Sequence, residues 1–88
     1  MYVLIGGAGM LGLELAKTLL DEGHTVAVVD TDPLACQYAR EKIGVMAFEG
    51  SAVNTTTLLE AGIRKADAVI AALPEDALNL AIVTLSKH

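Results

Sequence analysis

The stretch Gly7-Ala8-Gly9-Met10-Leu11-Gly12 decides the fold of this chain, because it has the glycine spacing of a phosphate-binding turn. It follows the apolar run Tyr2–Ile5, which is typical of a buried parallel strand, and it leads into the helical pattern of residues 11–20. A second apolar strand, Thr25–Val29, ends at Asp30, about 20 residues beyond the start of the turn. A glycine turn between a strand and a helix, followed by an acidic residue at this distance, predicts a nucleotide-binding βαβ unit.

Each glycine of the turn has a separate role in this prediction. Gly7 allows the tight turn after the strand, Gly9 lets a pyrophosphate approach the backbone, and Gly12 lets the helix pack closely on the sheet. The unpaired N–H groups of the first helical turn and the helix dipole would then face the phosphates. Asp30 can accept hydrogen bonds from ribose hydroxyls, and its charge should repel a 2′-phosphate. The pattern therefore favours NAD-type or adenine nucleotides over NADP.

Strand and helix patterns continue to alternate after Asp30, where Asp32 is expected to cap the second helix. The predicted elements are a helix from Pro33 to about Ile43, a strand over Val45–Phe48, a helix over Thr56–Ala61, a strand over Ala68–Ala72 and a last helix from Pro74 through Val83 and Leu85 to the C-terminus. Right-handed crossovers turn this βαβαβαβα order into an α/β, Rossmann-like open parallel sheet of strand order 3-2-1-4, with helices on both faces.

The ligand crevice of such a sheet lies beyond the carboxyl ends of strands 1 and 4, where the strand order reverses. The loops at 7–12, 30–32, 50–52 and 73–76 converge there. The candidate nucleotide contacts are Gly7, Ala8, Gly9, Met10, Leu11, Gly12, Asp30, Thr31, Asp32, Gly50, Ser51, Ala52 and Leu73.

Two further patterns concern contacts with other chains. The sheet-facing stripe of the first helix is predicted to be Leu11, Leu15, Ala16 and Leu19. Leu13 and Leu20 are surplus to this stripe, so they are either ordinary exposed leucines or part of a contact between subunits. Strand 4 is expected to be an open apolar edge, which invites pairing with another chain. Self-association is therefore expected.

Composition narrows the functional classes. The chain has 88 residues, expected to form one domain over 1–88, with 53% hydrophobic residues and a net charge of −5. Because Lys and Arg are not clustered, a nucleic-acid surface is not expected. A single cysteine excludes an internal disulfide and fits a reducing cytosol. No apolar run reaches the roughly 18 residues of a spanning helix, so a membrane role is expected only through a partner.

The remaining reactive residues predict neither a catalytic site nor a metal site. His24 is placed at the amino end of strand 2, away from the ligand edge, and His88 is terminal. Cys36 is expected to be a small buried residue of the second helix. Glu75 and Asp76 follow strand 4, where they either face the dipole of the last helix or contact a metal or a ribose.

Several blocks of the chain together match one family. They are Val3–Gly9, Leu15–Lys17, Glu22–Val26, Asp30–Asp32, Leu58–Ile63, Ala66–Ala71 and Glu75–Asp76 with Asn79–Leu80. In these blocks nearly the whole chain resembles the N-terminal nucleotide-binding part of a regulator-of-potassium-conductance domain, also called an RCK, TrkA-N or KTN domain.

The resemblance implies a regulatory domain, not an enzyme, that binds NAD(H), ATP or ADP at Gly7, Gly9, Gly12, Asp30 and the Gly50–Ala52 loop. It implies assembly into homodimers or larger homo-oligomers. It also implies a cytoplasmic domain that gates a membrane potassium channel or transporter through protein contact, at the inner face of the membrane and without inserting into it. Family domains usually continue beyond the fourth helix, so this chain is expected to be a fragment of a longer one.

The match has two local departures, and two other functions fit the sequence. Met10 stands where the family often has an arginine, and Ser51 stands where it usually has an acid. An assembly module that has lost its ligand would fit both departures. Gly6–Gly12 and Glu22–Val26 also resemble the start of deazaflavin-dependent NADP reductases and nucleotide-sugar dehydrogenases. The enzymatic alternative is thus the cofactor half of an NAD(P)-dependent dehydrogenase or reductase.

Overall fold

The computed structural model describes residues 1–72 and the backbone of residues 83–85. Its elements are β1 (Tyr2–Gly6), α1 (Met10–Asp21), β2 (Thr25–Asp30), α2 (Pro33–Tyr38), β3 (Met46–Glu49), α3 (Thr55–Glu60), β4 (Ala68–Ala71) and β5 (Val83–Leu85). A π-helical turn, Ala39–Ile43, extends α2, and a 3₁₀ turn, Ile63–Lys65, precedes β4.

The five strands form one sheet in the order β3-β2-β1-β4-β5. Strands β1 to β4 are parallel, and Ile5 of the central strand β1 lies between Val28 and Ile70 in the register. The predicted Rossmann-like sheet with order 3-2-1-4 is therefore confirmed. Its carboxyl edge carries the turn after β1 and the loops after β2 and β3.

Strand β5 corrects two predictions. It runs antiparallel to β4, with Val69 opposite Thr84, so the helix predicted through Val83 and Leu85 is wrong over residues 83–85. Strand β4 is also not an open edge, because β5 pairs with it. β-Branched residues at 83 and 84 favour an extended backbone, and an edge strand offers unpaired N–H and C=O groups to it. The rest of the predicted last helix lies outside the described residues.

The alternation of side chains along the strands divides the core between the two faces of the sheet. On one face, Ile5 and Val28 pack with Ala16 of α1 and Cys36 of α2. The other face buries a second cluster, composed of Leu4, Ala27, Val29, Ala61 and Ala66. Parallel strands that are apolar on both faces need cover on both sides. Helices α1 and α2 supply it on one side, and the segment from α3 to β4 supplies it on the other.

The buried face of α1 differs from the predicted stripe. Gly12 and Ala16, one turn apart, are its buried residues, and Leu13 and Leu20 pack against the core beside them. Leu11 is instead 54% exposed. The small residues set the centre of the face because they allow the closest approach to the sheet, and this rotates Leu11 outward and Leu13 inward. Leu13 and Leu20 are therefore not surplus residues.

The predicted Asp32 cap is confirmed, and the other helix ends are defined by caps as well. The Asp32 carboxylate accepts a hydrogen bond from the Leu34 N–H at 3.0 Å, and the Asn54 side chain accepts one from the Thr57 N–H at 3.0 Å. Gly44 ends the second helical segment with φ 90°, in the left-handed region that favours glycine. These caps fix where the loops at the carboxyl edge turn into helices.

Two glycines of the turn should differ sharply in their tolerance of a methyl group. A Cβ at Gly12 would overlap the carbonyl group of Gly7, whereas a Cβ at Gly9 would meet no atom within 4 Å. We expect Gly12→Ala to lower the free energy of unfolding by about 1–3 kcal/mol through overpacking. Gly9→Ala should cost less than about 1 kcal/mol, because alanine fits its φ of −75° and is only a poorer N-cap. Chemical denaturation of both variants measures the difference, and equal losses would contradict the close helix–turn contact.

Candidate functional site

The glycine turn is held to the end of β2 by its own backbone. The Gly7 N–H donates to the Val29 carbonyl oxygen at 2.8 Å, and Gly7 has φ 116°, in the region that side chains rarely adopt. The chain therefore leaves β1 in a sharp turn directly above the sheet. The physical role predicted for Gly7 agrees with this geometry.

The Asp30 carboxylate joins this turn to the loop after β2. One oxygen accepts a hydrogen bond from the Ala8 N–H at 2.7 Å, and the other accepts one from the Asp32 N–H at 2.8 Å. Each carboxylate oxygen can accept a second hydrogen bond, so Asp30 retains capacity for a ligand hydroxyl. Asp30 was predicted only as a ligand contact, and its part in shaping the turn was missed.

The start of α1 presents free donors beside this carboxylate. Leu13 is the first helical residue whose N–H reaches a carbonyl, that of Gly9 at 2.9 Å. Within residues 1–72 and 83–85, no acceptor pairs with the N–H groups of residues 9–12. Gly9 is exposed, and the space where its side chain would stand is open. An anion of phosphate size can therefore approach these donors.

The loop after β3 forms the side of the site opposite the start of α1. The Gly50 N–H donates to the Asp30 carbonyl oxygen at 2.8 Å, and a Cβ at Gly50 would stand 2.5 Å from the Thr57 hydroxyl. Ala52 lies against Gly6, where an added Cβ would be only 3.1 Å from the Ala52 Cβ. The loop thus packs between the end of β1 and the start of α3. Gly6, which sequence reasoning missed, has to be small for this reason.

The two loops and the turn enclose a cleft of about 300 Å³. Its lining residues are Gly7, Val29, Asp30, Thr31, Ser51, Ala52 and Val53. Sequence analysis predicted five of these seven and missed Val29 and Val53. Val29 could have been found, because it directly precedes Asp30 at the carboxyl end of β2. Nothing in the sequence singled out Val53, which is brought there by the path of the loop.

The other predicted contacts lie around this cleft. Ala8, Gly9 and Met10 line a separate groove of about 590 Å³ between α1 and α2. Gly12 is buried under the turn, and Leu11 faces outward on α1. Asp32 is exposed and caps α2. Leu73 lies outside the described residues, as do Glu75, Asp76 and His88.

The described residues contain neither a metal-ligating cluster nor a helix that could span a membrane. In residues 1–72 and 83–85, no three His, Cys, Asp or Glu side chains are grouped so that they could hold a metal ion. His24 lies at the amino end of β2, where its backbone N–H donates to the Leu19 carbonyl oxygen. None of the described helices combines the length and apolar character needed to cross a membrane.

Comparison with known proteins identifies relatives over the whole of this arrangement. The model of the TrkA-N domain family matches residues 3–88. The chain is 36% identical over 80 residues to a Trk system potassium uptake protein TrkA homolog of Methanothermobacter thermautotrophicus, covering 91% of this chain and 37% of that protein. It is 34% identical over all 88 residues to such a homolog of Pyrococcus abyssi and to the Trk system potassium uptake protein TrkA of Streptomyces coelicolor, covering 39% and 40% of them. The chain thus spans about two fifths of the length of these relatives.

The one thiol beneath the site should be inert in the folded protein. Cys36 has no exposed surface, its Sγ donates to the Asp30 carbonyl oxygen at 3.5 Å, and burial raises the pKa of the thiol. We expect Ellman's reagent to label it at pH 8 only at the rate of unfolding. Because the folded state holds the thiol proton more tightly, the free energy of unfolding should fall as pH rises above the ordinary thiol pKa of about 8.5.

The Cys36→Ala variant is the control for this pH dependence. In this variant the free energy of unfolding should no longer decline as pH rises past the ordinary thiol pKa. Any decline at higher pH should remain, because burial also raises the pKa of Tyr2. Rapid labelling of the folded protein would show that Cys36 is accessible and would contradict its burial.

Proposed function

Because the chain belongs to the TrkA-N domain family, we propose that it is the nucleotide-binding regulatory domain of a potassium-uptake system. The observation that supports this most directly is the turn at residues 7–12, where free N–H donors meet the open space beside Gly9. The relatives named as potassium uptake proteins supply the physiological context. The proposed ligand is NAD(H) or ATP/ADP.

Different residues around the cleft would contact different parts of the proposed ligand. The N–H groups of residues 9–12 would receive the phosphates, with support from the positive end of the α1 dipole. Asp30 would accept hydrogen bonds from the ribose hydroxyls with its remaining lone pairs. The adenosine end would lie along Thr31 and the Ser51–Ala52 loop. The same carboxylate charge disfavours the 2′-phosphate of NADP.

Regulation would follow from assembly rather than from catalysis. We propose that the domain acts in the cytoplasm as a homodimer or larger homo-oligomer and contacts a membrane potassium channel or transporter subunit. A nucleotide can bias such an assembly only if it binds two assembly states with different affinity. The named relatives are potassium uptake proteins, so we propose no catalytic step and no dehydrogenase activity for this chain.

The direct test is thermal unfolding of the purified protein with NAD, NADH, NADP, ATP, ADP and AMP. A ligand at 100 times its dissociation constant stabilises the folded state by about 2.7 kcal/mol, which shifts the unfolding midpoint by about 10–20 °C in a domain of this size. Gly9→Ala should abolish the shift, because the added methyl group fills the space that the phosphates would occupy. The unliganded midpoint should change little, because that methyl group meets no other protein atom.

Asp30→Asn tests the ribose contact, and Asp67→Asn is its matched control. The Asp67 carboxylate accepts a hydrogen bond from the Tyr2 N–H at 2.7 Å, at the opposite end of the sheet. Both variants weaken hydrogen bonds from backbone N–H groups, but only Asp30→Asn should reduce the rise in unfolding midpoint that a nucleotide causes. If no nucleotide stabilises the protein, or if Gly9→Ala responds like the unmodified chain, the proposed function is wrong.

A further inference from the structure

The basic residues in the described part of the chain lie outside the cleft at the carboxyl edge of the sheet. Five of the six Lys and Arg lie in the described residues. Arg40 donates to the Ala47 carbonyl oxygen beside β3, Lys42 ends the turn after α2, and Arg64 and Lys65 precede the amino end of β4. Lys17 lies seven residues into α1, about 10 Å along the helix from its start, and is paired with Asp21 at 3.2 Å. None of the five lines the cleft, but Lys17 lines the neighbouring groove together with Gly9 and Met10.

Acidic residues occupy that edge instead. Asp30 ends β2, Asp32 caps α2 two residues later, and Glu49 ends β3. Glu14 lies on the next turn of α1 after Met10 and lines the neighbouring groove. Among the residues that line the cleft, the positive potential available to a phosphate therefore comes from backbone N–H groups and the α1 dipole, equivalent to about half an elementary charge.

Met10 occupies the position from which a cation would balance the phosphates. It is the first residue of α1 and its side chain is 80% exposed beside the free N–H donors. A bridged phosphate of a dinucleotide carries a single negative charge, whereas a terminal phosphate carries about −1.5 to −2 at pH 7. No cationic side chain lines the cleft to balance the extra charge of ADP or ATP, and the Lys17 ammonium of the neighbouring groove is paired with Asp21. The nearby carboxylates repel that charge.

From this distribution we infer that the site selects nucleotides by phosphate charge. It accepts dinucleotides with a bridged diphosphate, such as NAD(H), and disfavours nucleotides with a terminal phosphate, such as ADP and ATP; Met10 is the residue that sets this preference. The inference rests on the proposed nucleotide-binding function and narrows its ligand class.

ADP-ribose and ADP form the sharpest pair of probes, because they share the adenosine diphosphate and differ in whether a terminal phosphate is present. Dissociation constants for both, and for NADH and ATP, are measured by calorimetry at about 0.15 M salt without Mg²⁺. In the unmodified protein we expect ADP-ribose and NADH to bind at least about tenfold more tightly than ADP and ATP. Added Mg²⁺ should narrow this gap, because it neutralises the terminal phosphates.

Three variants separate the charge effect from others. Met10→Arg should tighten ADP and ATP by about tenfold or more, the range of a charge-assisted hydrogen bond, with a smaller effect on ADP-ribose. Met10→Leu should leave the dissociation constants of ADP, ATP and ADP-ribose unchanged. Met46→Arg places the same charge at the start of β3, at the opposite end of the sheet, and should leave the ratio of the two constants unaltered.

The outcomes are distinguishable. ATP binding as tightly as NADH in the unmodified protein, or a Met10→Arg variant that tightens ADP and ADP-ribose equally, would overturn the inference and leave nucleotide binding intact. Absence of binding by every probe would instead refute the proposed function, and the selectivity inferred from it would fall with it. A preference for ADP-ribose that Met10→Arg removes would establish charge selection.

Discussion

The hydrogen bonds of the Asp30 carboxylate join the segments on which the site depends. One oxygen holds the Ala8 N–H of the glycine turn and the other holds the Asp32 N–H of the next loop. The carbonyl group of the same residue accepts from the Gly50 N–H. Three loops that are far apart in the chain therefore converge on one residue at the end of β2. The cleft exists because these loops share that attachment, and its negative charge comes partly from the same group.

Close packing of small residues is the second constraint. Gly12 and Ala16 bring α1 onto the sheet, and Gly6 makes room for Ala52. An added methyl group at Gly6 or Gly12 would meet backbone or side-chain atoms, while Gly9 faces open space. Gly6 and Gly12 are thus closely packed, whereas Gly9 is not. This contrast indicates which glycine serves the fold and which leaves room for a ligand.

Much of the architecture could be predicted from local pattern. Apolar runs bounded by glycines placed β1 to β4, and Asp32 and Asn54 were predictable as caps because their side chains act on backbone groups two or three residues away. The stripe of α1 was wrong at Leu11 and Leu13, since helical spacing alone does not say which of two overlapping faces approaches the sheet. The helix predicted over residues 83–85 was wrong because an amphipathic pattern takes no account of the unpaired edge that β4 offers.

The sequence alone determined the α/β order, the parallel sheet, the glycine turn after β1 and the acidic residue that follows it at the end of β2, because each of these depends on residue types at short, fixed spacings. Only the tertiary structure decided that Asp30 shapes the turn, that Val29 and Val53 line the cleft, that β5 pairs with β4, and that no basic side chain of the described residues lines the cleft. These features depend on contacts between residues that are distant in the chain. Local spacing carries no information on such contacts until the sheet brings the loops together.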